Sequence, residues 1–250
     1  MMHDTDTGAI RVTVEDGVAW IAFDRPDKLN AFTSQAYGEL RDAIRMAELN
    51  PEIDIAVLTG SGRAFATGGD LSELLDLIAS SDPLALVSFI DTTPMSTIRD
   101  AKLVTIAAVN GLCFAGGLII ASLCDFVIAV EEASFSLPEA KIGMAEAVSI
   151  TAMFPKLNAR DLKYFALTGR RLTASQAKDI GLVNDIVPAD QLQAEVKKLI
   201  GDIRSTDQEA RLIYKKIIND LFPGLKYFVH YAPSFNDVHL AKFAGNRDGK

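Results

Sequence analysis

The chain has 250 residues, of which 49% are hydrophobic and 23% charged, and this composition excludes a mostly disordered protein. The length is sufficient for one domain with a sizeable core. The net charge of −8 argues against a nucleic-acid partner, because a phosphate backbone attracts a basic surface.

The first half of the chain alternates predicted strands with predicted helices. Residues 10–14 and 18–23 are expected to pair about an Asp16-Gly17 turn, and apolar residues at helical spacing follow from Ala36 to Ala47. Further strands are predicted at 53–58, 104–109 and 126–130, further helices at 71–78 and from 115, and a mobile lid at 80–94. This alternation predicts an α/β core.

An uncharged stretch, residues 103–124, is long enough to cross a membrane. Asn110-Gly111 is a turn signal that divides it, so a buried strand, a turn and a buried helix are predicted instead, without a membrane partner. The chain after Pro138 is mostly helical, with helices predicted at 148–154, 159–168, 175–180, 191–203 and 208–221.

The cysteines and the first residues indicate a cellular compartment. Cys113 and Cys124 lie in apolar sequence, which predicts buried free thiols and fits a reducing environment. The first ten residues lack the basic and apolar regions of a signal peptide. We therefore expect a cytoplasmic protein, and because the three histidines lack the spacing of a zinc site, no metal is expected.

Three segments have the composition of a reactive site: 65–71 (FATGGDL), 107–125 (AAVNGLCFAGGLIIASLCD) and 135–143 (FSLPEAKIG). The first two contain paired glycines at a turn that leads into a predicted helix. Glycines permit close approach of a ligand, and helix N-termini present free N–H donors. Two such termini at one carbonyl would stabilise a developing enolate.

With these segments in this order, the chain resembles the enoyl-CoA hydratase/isomerase (crotonase) superfamily from about Val18 to about Pro188. FDRPDKLNAF and LTGRRLTASQAKDIGLVNDIVP add to the similarity. The resemblance implies an α/β fold with a spiral of ββα units over residues 1–190. It also implies a helical trimerisation region over 191–250, in the same fold unit, and assembly as a homotrimer or a dimer of trimers.

The resemblance further implies an acyl-CoA thioester as substrate, so that coenzyme A is part of the substrate and no separate cofactor is needed. The two enolate-stabilising amides would be those of Gly69 and Gly116. Asp70 can alternatively fix the glycine turn, and Arg25 and Lys28 can alternatively be solvated loop charges. The residues implied to contact coenzyme A are Arg25, Lys28, Leu29, Ala64, Ala66, Gly68 and Asp70.

The acid/base residues decide the reaction. Family hydratases typically use two carboxylates, and this chain keeps the second, Glu139, but has Ile119 at the first position. The two-carboxylate addition of water is therefore in doubt, whereas one carboxylate can still move a proton between carbons. Glu146 is a second candidate acid, with a helix-start acid as the structural alternative.

Two other functions remain open at this point. The chain could be a catalytically inactive acyl-CoA-binding or assembly subunit, for which Ile119 is the best support. It could also be a crotonase-type hydrolase of a C–C or thioester bond. Tyr164, Tyr227, Tyr231 and His230 receive no role, because their spacing is typical of core or subunit contacts.

Overall fold

The computed structural model describes residues 5–6, 8–80, 94–143 and 147–221. Within these ranges the strands form two sheets, one of seven strands and one of four. The strands are β1 (Thr5–Asp6), β2 (Ile10–Glu15), β3 (Val18–Phe23), β4 (Ile55–Gly60), β5 (Ala64–Ala66), β6 (Val104–Val109), β7 (Leu112–Phe114), β8 (Phe126–Val130), β9 (Ser134–Ser136), β10 (Arg171–Thr173) and β11 (Asp185–Val187).

The helices pack mainly around these sheets, and three short 3₁₀ helices occur at Pro26–Lys28, Glu139–Ile142 and Ala189–Gln191. The α-helices are α1 (Ser34–Leu49), α2 (Leu71–Ser80), α3 (Met95–Arg99), α4 (Gly116–Leu123), α5 (Ala147–Met153), α6 (Ala159–Thr168), α7 (Ala174–Asp179), α8 (Leu192–Arg204) and α9 (Gln208–Leu221).

The larger sheet has the order β1-β2-β3-β4-β6-β8-β11. Its predicted hairpin is confirmed, since β2 pairs antiparallel with β3 from Ile10 opposite Phe23 to Glu15 opposite Val18. Asp16 and Gly17 both have positive φ, as a two-residue turn that matches the strand twist requires. From β3 to β11 the pairs are parallel, and β6 is buried along its whole length because both faces are covered.

The smaller sheet has the order β10-β9-β7-β5, and β5, β7 and β9 run parallel. None of its four strands is among the strands predicted from the sequence. The uncharged stretch therefore contains strand β6, the Asn110-Gly111 turn, the additional strand β7 and helix α4. In the described ranges, no helix is both long and apolar enough for a membrane span.

The C-terminal helices are joined to the core by packing and by charge. Helix α8 packs against β6 and β8. Asp54, just before β4, accepts hydrogen bonds from Arg204 and Arg211, with its two oxygens each 2.6 Å from a guanidinium nitrogen. The predicted helices of this region are confirmed to within one residue at each end. The predicted lid at 80–94 lies almost entirely outside the described residues.

Candidate active site

The first glycine segment is a turn held by the backbone of Phe32. The Phe32 amide donates to the Gly68 carbonyl at 2.8 Å, and the Asp70 amide donates to the Phe32 carbonyl at 2.7 Å. Phe32 thus bonds to the residues on either side of Gly69, whose own N–H points away from it. Apart from Gly69 itself and its two chain neighbours, no described atom lies within 4 Å of a Cβ placed on Gly69, so the space beside this residue is open.

The second glycine segment begins helix α4. Gly116 is its first residue, so the helix provides no acceptor for the Gly116 N–H. The residue before it, Ala115, has φ 48° and ψ −125°, a conformation that L-residues rarely adopt. Gly117 has a packing role, because a Cβ there would lie 2.3 Å from the Ala66 carbonyl oxygen.

The two glycine segments touch each other. A Cβ on Gly68 would lie 3.1 Å from the Gly116 amide nitrogen and 2.7 Å from the Cβ of Ala115. Gly68 has φ 101°, which a residue with a side chain would adopt only under strain. Close contact and the left-handed backbone together require glycine at this point, and the Gly116 amide nitrogen lies beside the segment that contains Gly69.

Glu139 follows β9, the strand next to β7 in the same sheet. It begins a 3₁₀ helix three residues after β9 ends at Ser136, whose carbonyl accepts the Ala115 N–H at 3.0 Å. The side chain is half-buried and its Oε2 atom is enclosed. Because adjacent strands lie about 4.8 Å apart, the carboxyl ends of β5, β7 and β9 span about 10 Å. Ligands bind preferentially outside such ends.

The other two candidate acid positions differ from Glu139. Ile119 is the fourth residue of α4. It is 4% exposed and belongs to the hydrophobic core. The structure therefore shows no carboxylate from this position of the helix. Glu146 lies outside the described residues, so its expected role stays a prediction.

The residues expected to contact coenzyme A surround the loop before Phe32. Arg25 pairs with Asp70 at 3.3 Å and also donates to the Ala31 carbonyl, while Asp70 accepts the Ser72 N–H at the start of α2. Both residues of this pair therefore have structural partners. Lys28 is exposed and makes no ion pair within the described chain. Leu29 is half-buried with a left-handed backbone, whereas Ala64 and Ala66 are buried in β5.

Sequence reasoning missed Asn30, a buried residue that holds this loop in place. Its side-chain amide donates to the carbonyls of Ser61, Ala64 and Phe65, at 3.0, 2.7 and 3.2 Å. Its side-chain oxygen accepts the Arg25 N–H at 2.9 Å. An asparagine in a polar loop gives no signal that it is buried. The one relevant sequence signal is the residue type, because asparagine tolerates the positive φ that Asn30 has in this turn.

The thiols are unsuited to nucleophilic chemistry. Cys113, in β7 of the smaller sheet, and Cys124 are buried and free, as predicted. Burial raises the pKa of Cys113 well above its ordinary value and that of Cys124 to about 12. Both therefore stay protonated at neutral pH and are poor nucleophiles. Among the described residues there is no group of three or more side chains suited to a metal ion.

A cavity of about 630 Å³ lies away from the glycine segments, between the end of α4 and helices α8 and α9. Its four cations all have partners: Lys215 pairs with Asp125 at 2.7 Å, Lys156 donates to the Cys124 carbonyl at 2.8 Å, Arg99 pairs with Asp100, and Arg211 pairs with Asp54. Burial lowers the pKa of Lys156, while its position at the C-terminus of α4 favours a positive charge. The cations that line this cavity between the core and the C-terminal helices are thus already paired.

Comparison with known proteins gives consistent similarities. The model of the enoyl-CoA hydratase/isomerase family matches residues 13–223. The chain is 34% identical over 217 residues to a probable enoyl-CoA hydratase of Mycobacterium bovis, covering 85% of this chain and 82% of that protein. It is 33% identical over 189 residues to the hydroxycinnamoyl-CoA hydratase-lyase of Pseudomonas fluorescens, covering 74% and 68%. A crystal structure of an enoyl-CoA hydratase/isomerase from Mycobacterium paratuberculosis superposes with a TM-score of 0.83 at 27% identity, covering 94% and 93%.

Proposed function

The chain belongs to the enoyl-CoA hydratase/isomerase family, as an enzyme that acts on an acyl-CoA, and we propose that it works by transient enolate formation. In this proposal the Gly69 and Gly116 amides donate to the thioester oxygen, and Glu139 transfers the proton. The family assignment also confirms the expected mixed α/β crotonase fold.

The convergence of three parallel strand ends carries the proposal. The amides of Gly69 and Gly116 follow β5 and β7, and Glu139 follows β9, so two donors and one carboxylate lie along one edge of the smaller sheet. Donors fixed in advance at a developing oxyanion are among the largest contributions to catalysis. A carboxylate beside them can remove a proton from the carbon next to the thioester, and the electron pair then moves onto the oxygen.

Ile119 favours transfer of a proton between two carbons over addition of water. Addition with two carboxylates needs one to activate water and one to protonate the α-carbon, and a buried isoleucine can do neither. A single carboxylate that removes a proton from one carbon and returns it to another is sufficient for an enoyl-CoA isomerisation. We therefore place isomerisation, or another reaction with one base, before simple hydration.

We propose that the loop before Phe32 and strand β5 bind the coenzyme A portion, through Arg25, Lys28, Leu29, Ala64, Ala66 and Gly68. Asp70 is proposed to hold Arg25 in place. Exposed Lys28 is the described cation of this loop without an ion pair, so it is the one we expect to meet a phosphate. Because the buried free thiols fit a reducing environment, we propose that the enzyme works in the cytoplasm, without a metal or separate cofactor.

Self-association through the C-terminal helices, as a trimer or a pair of trimers, is part of the proposal. Helix α9 exposes a row of large apolar side chains along one face: Ile213, Tyr214, Ile217, Ile218 and Leu221. Contiguous apolar surface of this kind is typical of protein interfaces. A second copy of this chain is the occupant that we propose.

Glu139→Gln tests the proposed chemistry. The variant keeps the shape of the side chain but cannot accept a proton, so we expect turnover to fall by about two to four orders of magnitude with acyl-CoA binding retained. An acyl-CoA panel is incubated in deuterated water, and mass spectrometry then reports deuterium uptake, isomerisation, hydration and cleavage. Glu131→Gln, an exposed strand-end acid, is the matched control.

Each contrary result would contradict a different part of the proposal. Equal turnover in the Glu139 variant would exclude its role as the base. Binding without any deuterium uptake by the wild-type protein would indicate an inactive acyl-CoA-binding or assembly subunit. Release of free CoA or of a shortened acyl product would indicate a hydrolase.

A further inference from the structure

Phe32 and Tyr37 form an aromatic pair that reaches both glycine segments. Their rings are stacked, with centroids 4.7 Å apart and an angle of 17° between planes. Both are nearly completely buried, at 2% and 4% exposure. Phe23 packs edge-on against Phe32, with centroids 5.0 Å apart, so the pair is fixed against the core.

One member of the pair holds the Gly69 segment through its backbone. The Phe32 N–H and C=O bond to the residues before and after Gly69, as described above. Since these are main-chain bonds, they set the direction of the Gly69 amide. Any rotation of the Phe32 backbone would therefore turn that amide.

The other member reaches the Gly116 segment through its hydroxyl. A Cβ placed on Gly116 would lie 2.5 Å from the Tyr37 Oη atom, and since a Cβ is about 1.5 Å from its Cα, the hydroxyl lies within about 4 Å of the Gly116 Cα. The same Cβ would lie 3.2 Å from the Gly68 Cα. The hydroxyl, Gly116 and Gly68 are therefore mutual neighbours.

Tyr37 is held at this point by the start of α1. Thr33 caps the helix, because its side chain accepts the Ala36 N–H at 3.1 Å and its carbonyl accepts the Tyr37 N–H at 3.0 Å. Glu73 of α2 accepts from both the backbone N–H and the hydroxyl of Ser34, at 3.0 and 2.6 Å. The first turn that carries Tyr37 is thus fixed to the helix that follows Gly69.

We propose that Tyr37 is a positioning residue whose hydroxyl, together with the Phe32 ring, sets the spacing between the Gly69 and Gly116 amides; this inference rests on the proposed function. Two donors can serve one oxygen only if both lie at about 2.7–3.1 Å from it. A hydroxyl wedged beside Gly116 prevents the start of α4 from settling toward Phe32. The same contact explains why residue 116 has no side chain.

Tyr37→Phe removes the hydroxyl and keeps the stack. The probe is butanoyl-CoA labelled with ¹³C at the thioester carbonyl, and infrared difference spectra measure how far binding lowers its stretching frequency. We expect a smaller lowering in the variant, because misplaced donors polarise the carbonyl less. We also expect the rate of α-deuterium uptake to fall about tenfold or more, with the concentration for half-saturation changed less than about threefold. Tyr164→Phe, which alters an exposed tyrosine beside Arg170, is the matched control.

Phe32→Leu is the second variant, which keeps the main-chain bonds but removes the stack, and the same two changes are expected. If Tyr37→Phe keeps the wild-type frequency and rate while remaining folded by circular dichroism, the inference is overturned although the proposed function stands. If the wild-type protein itself neither lowers the carbonyl frequency nor exchanges the α-proton, the proposed function fails, and this inference with it.

Discussion

Three glycines near the smaller sheet differ in what surrounds the position that a side chain would take. At Gly117 this position is filled by the Ala66 carbonyl and at Gly116 by the Tyr37 hydroxyl, whereas at Gly69 no described atom outside its chain neighbours lies within 4 Å. Glycine is thus needed for helix packing at Gly117, whereas at Gly69 it leaves open the space that we propose a thioester occupies. Glycines in similar motifs therefore occur for different physical reasons.

Gly69→Ala and Gly117→Ala form a matched pair of variants. We expect Gly69→Ala to fold with a Tm close to that of wild type, because its methyl enters open space, and to lose about tenfold or more in kcat/KM, because that space adjoins the proposed thioester site. Gly117→Ala should be destabilised by about 1–3 kcal/mol, since the methyl overlaps a main-chain oxygen. Thermal unfolding and acyl-CoA turnover measure both. Wild-type turnover in Gly69→Ala would place the thioester elsewhere.

At the level of whole elements, the junction between β7 and α4 combines order with strain. Ala115 is bonded through its N–H to Ser136 and through its carbonyl to Ile119, so the chain is held at both sides of a residue with φ 48°. A conformation of this kind costs about 1–3 kcal/mol and persists only where the surroundings enforce it. The strained residue immediately precedes Gly116, the amide of which is proposed to act on the substrate.

Ala115→Gly should relieve this strain. Glycine adopts the conformation readily, so after subtraction of its greater freedom in the unfolded chain we expect a gain of about 0.5–2 kcal/mol in unfolding free energy. Urea denaturation measures the change. Ala121→Gly, a buried position within the same helix, is the control and should lose stability. A loss at both positions would show that Ala115 is not strained.

How far the elements could be predicted depends on their length. Strands of five or six residues, such as β6, carry enough apolar residues to be recognised, and the Asp16-Gly17 turn identifies its hairpin. The strands β5, β7 and β9 have three residues each, too few for any periodicity, although they build the site. Gly69, Gly116 and Glu139 were predicted as site residues through the family resemblance. Tyr37 was not, because helical spacing alone identifies it as a core residue.

At the scale of the whole molecule, the C-terminal helices are anchored to the core on one side and expose apolar side chains on another. Asp54 binds two arginines of the C-terminal helices, and Lys215 of α9 reaches Asp125 at the end of α4, so these helices are fixed to the core. The opposite face of α9 nevertheless exposes apolar side chains, with Ile217 at 50%. Contiguous exposed apolar surface of this kind promotes association.

Ile217→Glu tests whether this face joins copies of the chain. A charge in the middle of the apolar row should convert trimers or hexamers to monomers, because an unpaired carboxylate is costly to bury. Light scattering after size-exclusion chromatography gives the mass of each species. Gln208→Glu adds the same charge on the opposite side of α9 and should leave assembly unchanged. A wild-type protein that runs as a monomer would refute the proposed assembly.

The smaller sheet has a practical consequence for protein engineering. Both proposed donors and the proposed base follow strands between Ala64 and Ser136, whereas α8 packs on β6 and β8 of the larger sheet. A transplant of the reacting centre would therefore have to include Phe32, which holds the Gly69 turn, and β10, which pairs with β9. Libraries confined to α8 and α9 should instead evolve assembly and durability with little effect on the proposed bond-making step.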